Sequence, residues 1–198
     1  MSKPFAITNI SATVGHSKLA MAIGDSITQG GAQLIGGYRL PLFTANPGLV
    51  YKGPMWSFGY HAGYSGYRID QISAAVLPII DTYAPMIVTL ICGTNNLIQG
   101  QTAAVTFAAM QTFAAAIKAK ASVTNVLVGT IPYLLTAPTE QATYNADIMA
   151  WSPPAGIAVY DVSGGVNYPA DFSDSLHPNT VGYAKMEAVW NTPIAALL

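Results

Sequence analysis

The sequence predicts an α/β sandwich: a mainly parallel sheet of about five strands held between two layers of helices, in one domain. Three observations point to it. Short apolar runs alternate with longer stretches of helical period, the order that produces βαβ units. Met86–Cys92 and Val123–Ile131 are continuous apolar runs rich in branched residues, as strands covered on both faces are. The run Met21–Ile23 stops abruptly at Gly24-Asp25-Ser26, which sets a serine at the carboxyl edge of a sheet, where open α/β folds bind ligands.

Taken in order, Leu19–Ile23 reads as the first strand and Tyr38–Ala45 as a helix start. Leu49–Lys52 reads as a short second strand. Ile69–Ile80 carries apolar residues at 69, 72, 76 and 79–80, a helical stripe. The strand Met86–Cys92 follows, then an Ala-rich helix over Thr102–Ala121 and the strand Val123–Ile131, closed by Pro132. Thr139–Trp151 reads as a helix stopped by Pro153-Pro154, Ile157–Tyr160 as a strand, and Thr180–Val189 as a closing helix capped by Asn179 or Thr180. Residues 18–198 form the predicted domain. Residues 1–17 are less patterned and read as an arm or an extra edge strand.

The 198 residues suit a single core. Charged residues make up 9% of them, against roughly 25% in an ordinary domain. Either the protein is a weakly charged monomer, or part of its surface meets another copy or an uncharged polymer. The net charge is −1 and no two basic residues adjoin, so a nucleic-acid partner is not expected, nor is polybasic membrane attachment. No apolar stretch is long enough to span a bilayer, and no signal peptide is visible at the N-terminus. Cys92, the single cysteine, closes an apolar strand and reads as a buried thiol. No Cys/His grouping has metal-ligand spacing, so neither metal nor cofactor is expected.

Ser26 is the expected nucleophile, and it needs a base. Asp174-Ser175-Leu176-His177 supplies one: His177 takes the hydroxyl proton and Asp174, three residues earlier, orients the ring. Asp171 and Asp161 are rival carboxylates. Asp25 has a turn-capping role open to it as well as a catalytic one. Gly63-Tyr64-Ser65-Gly66 and Gly93-Thr94-Asn95-Asn96 each follow a strand. A glycine amide or an asparagine NH₂ there can serve an oxyanion, or simply make a turn or helix cap. His16 and His61 are the remaining histidines, and His61 reads as structural or substrate-contacting. Aromatic faces at Trp56, Tyr64 and Tyr67 suit either sugar rings or a core.

In fixed order, these four blocks resemble the SGNH (GDSL-type) hydrolase family over residues 19 to about 190. The resemblance implies a flavodoxin-like sandwich and a Ser26–His177–Asp174 triad. It also implies an oxyanion hole made of the Ser26 amide, the Gly66 amide and the Asn95 side chain. Tyr38-Arg39, the run His61-Ala62-Gly63-Tyr64-Ser65-Gly66-Tyr67-Arg68-Ile69-Asp70-Gln71-Ile72, and His177-Pro178-Asn179 with Gly182-Tyr183 look like the acetyl xylan esterase-type branch, carbohydrate esterase family 3. On that basis Asp25, Tyr38, Arg39, His61, Tyr64 and Tyr67 are expected to contact substrate. Two positions depart from the pattern: Asn96 stands where Asp is usual, and Ser175 replaces a frequent Gly.

The expected activity is hydrolysis of short acyl esters, acetyl groups on a carbohydrate above all, through an acyl-enzyme. A broader esterase, thioesterase or lysophospholipase is the alternative within the same chemistry. A non-catalytic polysaccharide-binding or phage-tail module is the alternative outside it. The expected partners are a small ester or an acetylated polysaccharide, with the oligomeric state left open. Low charge and such a substrate suit an extracellular role.

Overall fold

The computed structural model describes residues 17–31 and 36–198. In chain order the strands are β1 (Lys18–Gly24), β2 (Leu49–Tyr51), β3 (Met55–Trp56), β4 (Tyr60–Gly63), β5 (Ile87–Ile91), β6 (Asn125–Gly129) and β7 (Ile157–Tyr160). The helices are α1 (Ser26–Gln29), α2 (Arg39–Ala45), α3 (Ile69–Val76), α4 (Ile80–Tyr83), α5 (Thr94–Ile98), α6 (Ala103–Lys118), α7 (Pro138–Ala150) and α8 (Thr180–Leu197).

The fold is the expected α/β sandwich, with a sheet wider than the expected five strands. β7, β6, β5 and β1 lie side by side in parallel. The far side of β1 is shared: β2 pairs with its first half and β4 with its last two residues. β3 adds an antiparallel edge to β4. β4 is legible only as the strand end expected before the Gly63 block, and β3 is not legible, because Met55–Trp56 is too short to show a period. The expected arm over residues 1–17 lies outside the described residues except for Ser17.

From β1 the chain steps one way to β2 and β4, then crosses back to β5, β6 and β7. β1 and β5 therefore flank the topological switch point, where helices diverge and a crevice opens at the carboxyl ends of the strands. β5 is buried at all five positions and β1 at its last five, so the crevice floor is the most enclosed part of the sheet.

Helix boundaries moved for local reasons. The expected helix Ile69–Ile80 is two helices, broken at Leu77-Pro78, where proline has no N–H to continue the ladder. The closing helix runs on to Leu197 through Pro193, held by the buried side chains of Trp190 and Ile194. α5 is a single short turn without periodicity and is absent from the sequence reading. α6 has its Thr102 cap, whose hydroxyl accepts from the Val105 amide.

Candidate active site

Ser26 opens α1 directly after β1. Gly24 makes this packing feasible, since a Cβ there would collide with the Ile91 carbonyl and the Thr28 hydroxyl. Asp25 caps the helix: its Oδ1 accepts from the Ile27 amide at 3.0 Å. As the first helical residue, Ser26 keeps an N–H with no partner inside the helix.

His177 reaches the site from the loop before α8. Its Nε2 lies 3.0 Å from Ser26 Oγ, and its Nδ1 lies 2.8 Å from Asp174 Oδ2. A carboxylate can only accept, so Nδ1 carries the proton and Nε2 is bare, the tautomer that takes a proton from the serine hydroxyl. Asp174 Oδ1 accepts from the Leu176 and His177 amides, both at 2.7 Å. Burial pushes the Asp174 carboxyl up, but these bonds and the His177 ring outweigh it and hold the carboxyl below the ordinary range. The loop is closed by Ser173 donating its amide to the His177 carbonyl at 2.9 Å, while Asn179 Oδ1 caps α8 through the Val181 and Gly182 amides.

The rival carboxylates have other partners. Asp171 Oδ2 accepts from the Asn167 amide and Lys185, which braces the same loop. Asp161 Oδ1 accepts from Thr130 Oγ1 at 2.8 Å.

Gly66 and Asn95 follow the carboxyl ends of β4 and β5. Gly66 has φ +78 as the third residue of the turn Tyr64–Tyr67, closed by the Tyr67 amide to the Tyr64 carbonyl. In such a turn the amide of the third residue bonds to nothing within the turn and points outward. Asn95 Nδ2 donates one hydrogen to the Tyr67 carbonyl at 3.0 Å, which fixes the amide plane and leaves the second hydrogen free. Asn96, in place of the usual Asp, has a structural job. Its Oδ1 accepts from the Ile69 amide at 2.9 Å, and its Nδ2 donates to Gln101 Oε1 at 2.7 Å. The two asparagines at the carboxyl end of β5 thus pin the Gly66 loop at Tyr67 and Ile69. Tyr144 pins the end of β5 itself by donating to the Cys92 carbonyl at 2.8 Å.

Four of the six expected substrate contacts are instead buried. Asp25 is fully covered and faces the interior below Ser26. Tyr38 is likewise fully covered, near Trp190 and within hydrogen-bond distance of Thr28. Arg39 gives its guanidinium to the carbonyls of Thr28 (2.8 Å), Gln29 (3.0 Å), Ser57 (2.9 Å) and Gly59 (3.4 Å). His61 accepts from the Gly63 amide at Nδ1, so its Nε2–H donates to Ser57 Oγ at 2.8 Å. Residues after a strand or before a helix look alike in sequence whether they point outward or inward, and here the close packing of α1, α2 and β4 turns them inward. Tyr67 is exposed and Tyr64 half-buried against the core, and the two stack with ring centroids 5.4 Å apart.

Cys92 is buried, as expected, and burial pushes its thiol well up. Among the described residues no group of His, Cys, Asp or Glu is placed to hold a metal ion, and no helix is long and apolar enough to cross a membrane.

The GDSL-like lipase/acylhydrolase family profile matches residues 22–185, from β1 through the His177 loop into α8. The chain belongs to that family. Solved GDSL-type folds superpose over nearly its whole length. A family 3 carbohydrate esterase from Talaromyces cellulolyticus aligns with a TM-score of 0.79 at 18% identity, covering 91% of this chain and 97% of the other. An acetyl esterase mutant with an acetate ion gives 0.78 at 18%, with the same coverage. A Clostridium thermocellum family 3 carbohydrate esterase gives 0.74 at 22%, covering 91% and 96%. At these identities the likeness speaks for the fold. A search of curated proteins finds no match. The GDSL hydrolase described here is thus an acyl hydrolase by family, with its serine at the switch point of the sheet.

Proposed function

We infer that this GDSL hydrolase is a serine esterase for acetyl groups, carried on a carbohydrate. The observation that carries the reading is the continuous relay from Asp174 Oδ2 through His177 to Ser26 Oγ, with spans of 2.8 and 3.0 Å. Ser26 Oγ attacks the ester carbonyl as His177 Nε2 takes its proton, and Asp174 steadies the imidazolium. The Ser26 amide, the Gly66 amide and the free hydrogen of Asn95 Nδ2 receive the oxyanion. His177 returns the proton to the leaving alkoxide. Water, deprotonated by the same ring, then releases the acid and restores Ser26. The carbohydrate part of the reading is supported by the block pattern of the sequence, the Tyr64–Tyr67 stack beside the oxyanion donors and the low surface charge.

The test compares kcat/KM for acetyl, butyryl and octanoyl esters of one phenol, alongside acetate release from acetylated xylan. A preference for acetyl with release from xylan is expected. A preference for octanoyl without release from xylan would move the substrate to longer acyl esters.

A further inference from the structure

Aromatic side chains gather on the margin of the sheet, away from its core. β3 is a two-residue edge strand, joined to β4 by the turn Ser57-Phe58-Gly59. Trp56, Phe58 and Tyr60 are 71%, 56% and 47% exposed, and Phe43 of α2 beside them is 45% exposed. Trp56 and Tyr60 meet edge to face with ring centroids 5.0 Å apart. With Leu40 they line a groove of about 430 Å³. Contiguous exposed apolar surface of this kind marks a contact surface.

The patch is held by the fold rather than left over from it. Phe58 has φ +48, a left-handed conformation that a bulky side chain adopts only under constraint. Arg39 supplies that constraint, with its guanidinium bonded to the carbonyls on both sides of Phe58, those of Ser57 and Gly59. The same guanidinium bonds the carbonyls of Thr28 and Gln29 at the end of α1. Gln29 lies three residues, about 4.5 Å of helix, from Ser26. The turn that displays Phe58 is therefore fixed to the helix that begins with the serine.

Among the described residues lining the groove, Arg39 is the one charged side chain, and its donors end on main-chain carbonyls and the Ser57 hydroxyl. Such a groove offers an anion nothing, and a charged protein surface no counter-charge. Flat ring faces without charge suit a ligand with apolar faces and neutral hydroxyl edges. We propose that Trp56, Phe58 and Tyr60 form a platform for a neutral polysaccharide. The proposal rests on the carbohydrate-ester reading above.

The test is affinity electrophoresis through gels containing unacetylated xylan, glucomannan or hydroxyethyl cellulose, together with 4-nitrophenyl acetate hydrolysis by the wild type. At least one polymer should retard the wild type. Trp56→Ala should weaken that binding about tenfold, the scale of one lost aromatic contact, while Trp56→Phe should largely restore it. Equal melting temperatures of the variants would show that folding is not the cause. Indifference to all three polymers, or undiminished binding by Trp56→Ala, overturns the platform. So does a concentration-dependent dimer that Trp56→Ala dissociates, since the patch would then be a self-contact. Ester hydrolysis without polymer binding sinks the platform alone; binding without hydrolysis sinks the esterase reading alone.

Discussion

At the residue scale, Asn95 Nδ2 spends one hydrogen on the Tyr67 carbonyl, and its second suits it to the oxyanion role proposed above. Asn95→Ala removes that donor together with the bond to the Tyr67 carbonyl. We expect kcat to fall about 10²–10³-fold with KM little changed, checked by steady-state kinetics on an aryl acetate. Asp25 and His61 make a second prediction. Burial pushes the Asp25 carboxyl from an ordinary 3.8 up to about 6, against the Ile27 amide, which pulls it down. Its contribution to stability is fully present below the ordinary carboxylate value and is lost as pH rises towards 6. Burial, with the Arg39 charge adding to it, lowers His61 from 6.5 to about 4. That contribution is present above 6.5 and is lost as pH falls towards 4. The two slopes oppose each other between pH 4 and 6.5. Asp25→Asn leaves the histidine slope alone, so its stability relative to wild type should improve by up to about 3 kcal/mol between pH 4 and pH 7 in urea unfolding. An unchanged difference across that range would mean that Asp25 is not held protonated.

At the element scale, the site is assembled by short pieces that the sequence hardly signals. β1, β5, β6 and β7 are legible because each is a short apolar run, rich in branched residues in β5, β6 and β7. The serine after β1, the asparagines after β5 and the Asp-x-x-His loop before α8 are legible because their chemistry is written in residue type and order. The inward turn of Tyr38, Arg39 and His61 is not, since it depends on α1 lying against β4 and on which carbonyls that leaves exposed. Arg39 carries the consequence. Arg39→Met keeps the buried volume but strands four carbonyls spread over α1 and the turn at Phe58. Each unpaired buried group costs about 1–3 kcal/mol. We expect several kcal/mol of destabilisation by denaturant titration, with Arg39→Lys only partly corrective because an ammonium cannot reach four acceptors in one plane.

At the scale of the whole molecule, the order of strands places the chemistry. The reversal between β1 and β5 opens one crevice, and the serine, both asparagines and the Gly66 turn all border it. The α/β class and the parallel sheet followed from alternation of period. The edge strand β3 and the short helices α1, α4 and α5 did not, because two residues, or a single helical turn, show no period. α8 closes the side nearest Tyr38 and Tyr160, with the fully buried Trp190 ring between them at 6.5 and 5.7 Å. Trp190→Ala should cost about 3–5 kcal/mol and lower the melting temperature by roughly 6–20 °C. A loss under 1 kcal/mol in calorimetry would mean that α8 docks without it.

The central claim is that Ser26 is the nucleophile. The most direct measurement is hydrolysis of 4-nitrophenyl acetate by wild type and by Ser26→Ala at equal, verified folded concentration. The hydroxyl accounts for the reaction if kcat falls by roughly 10⁴-fold or more while the melting temperature stays unchanged. Turnover by folded Ser26→Ala within tenfold of wild type would contradict it.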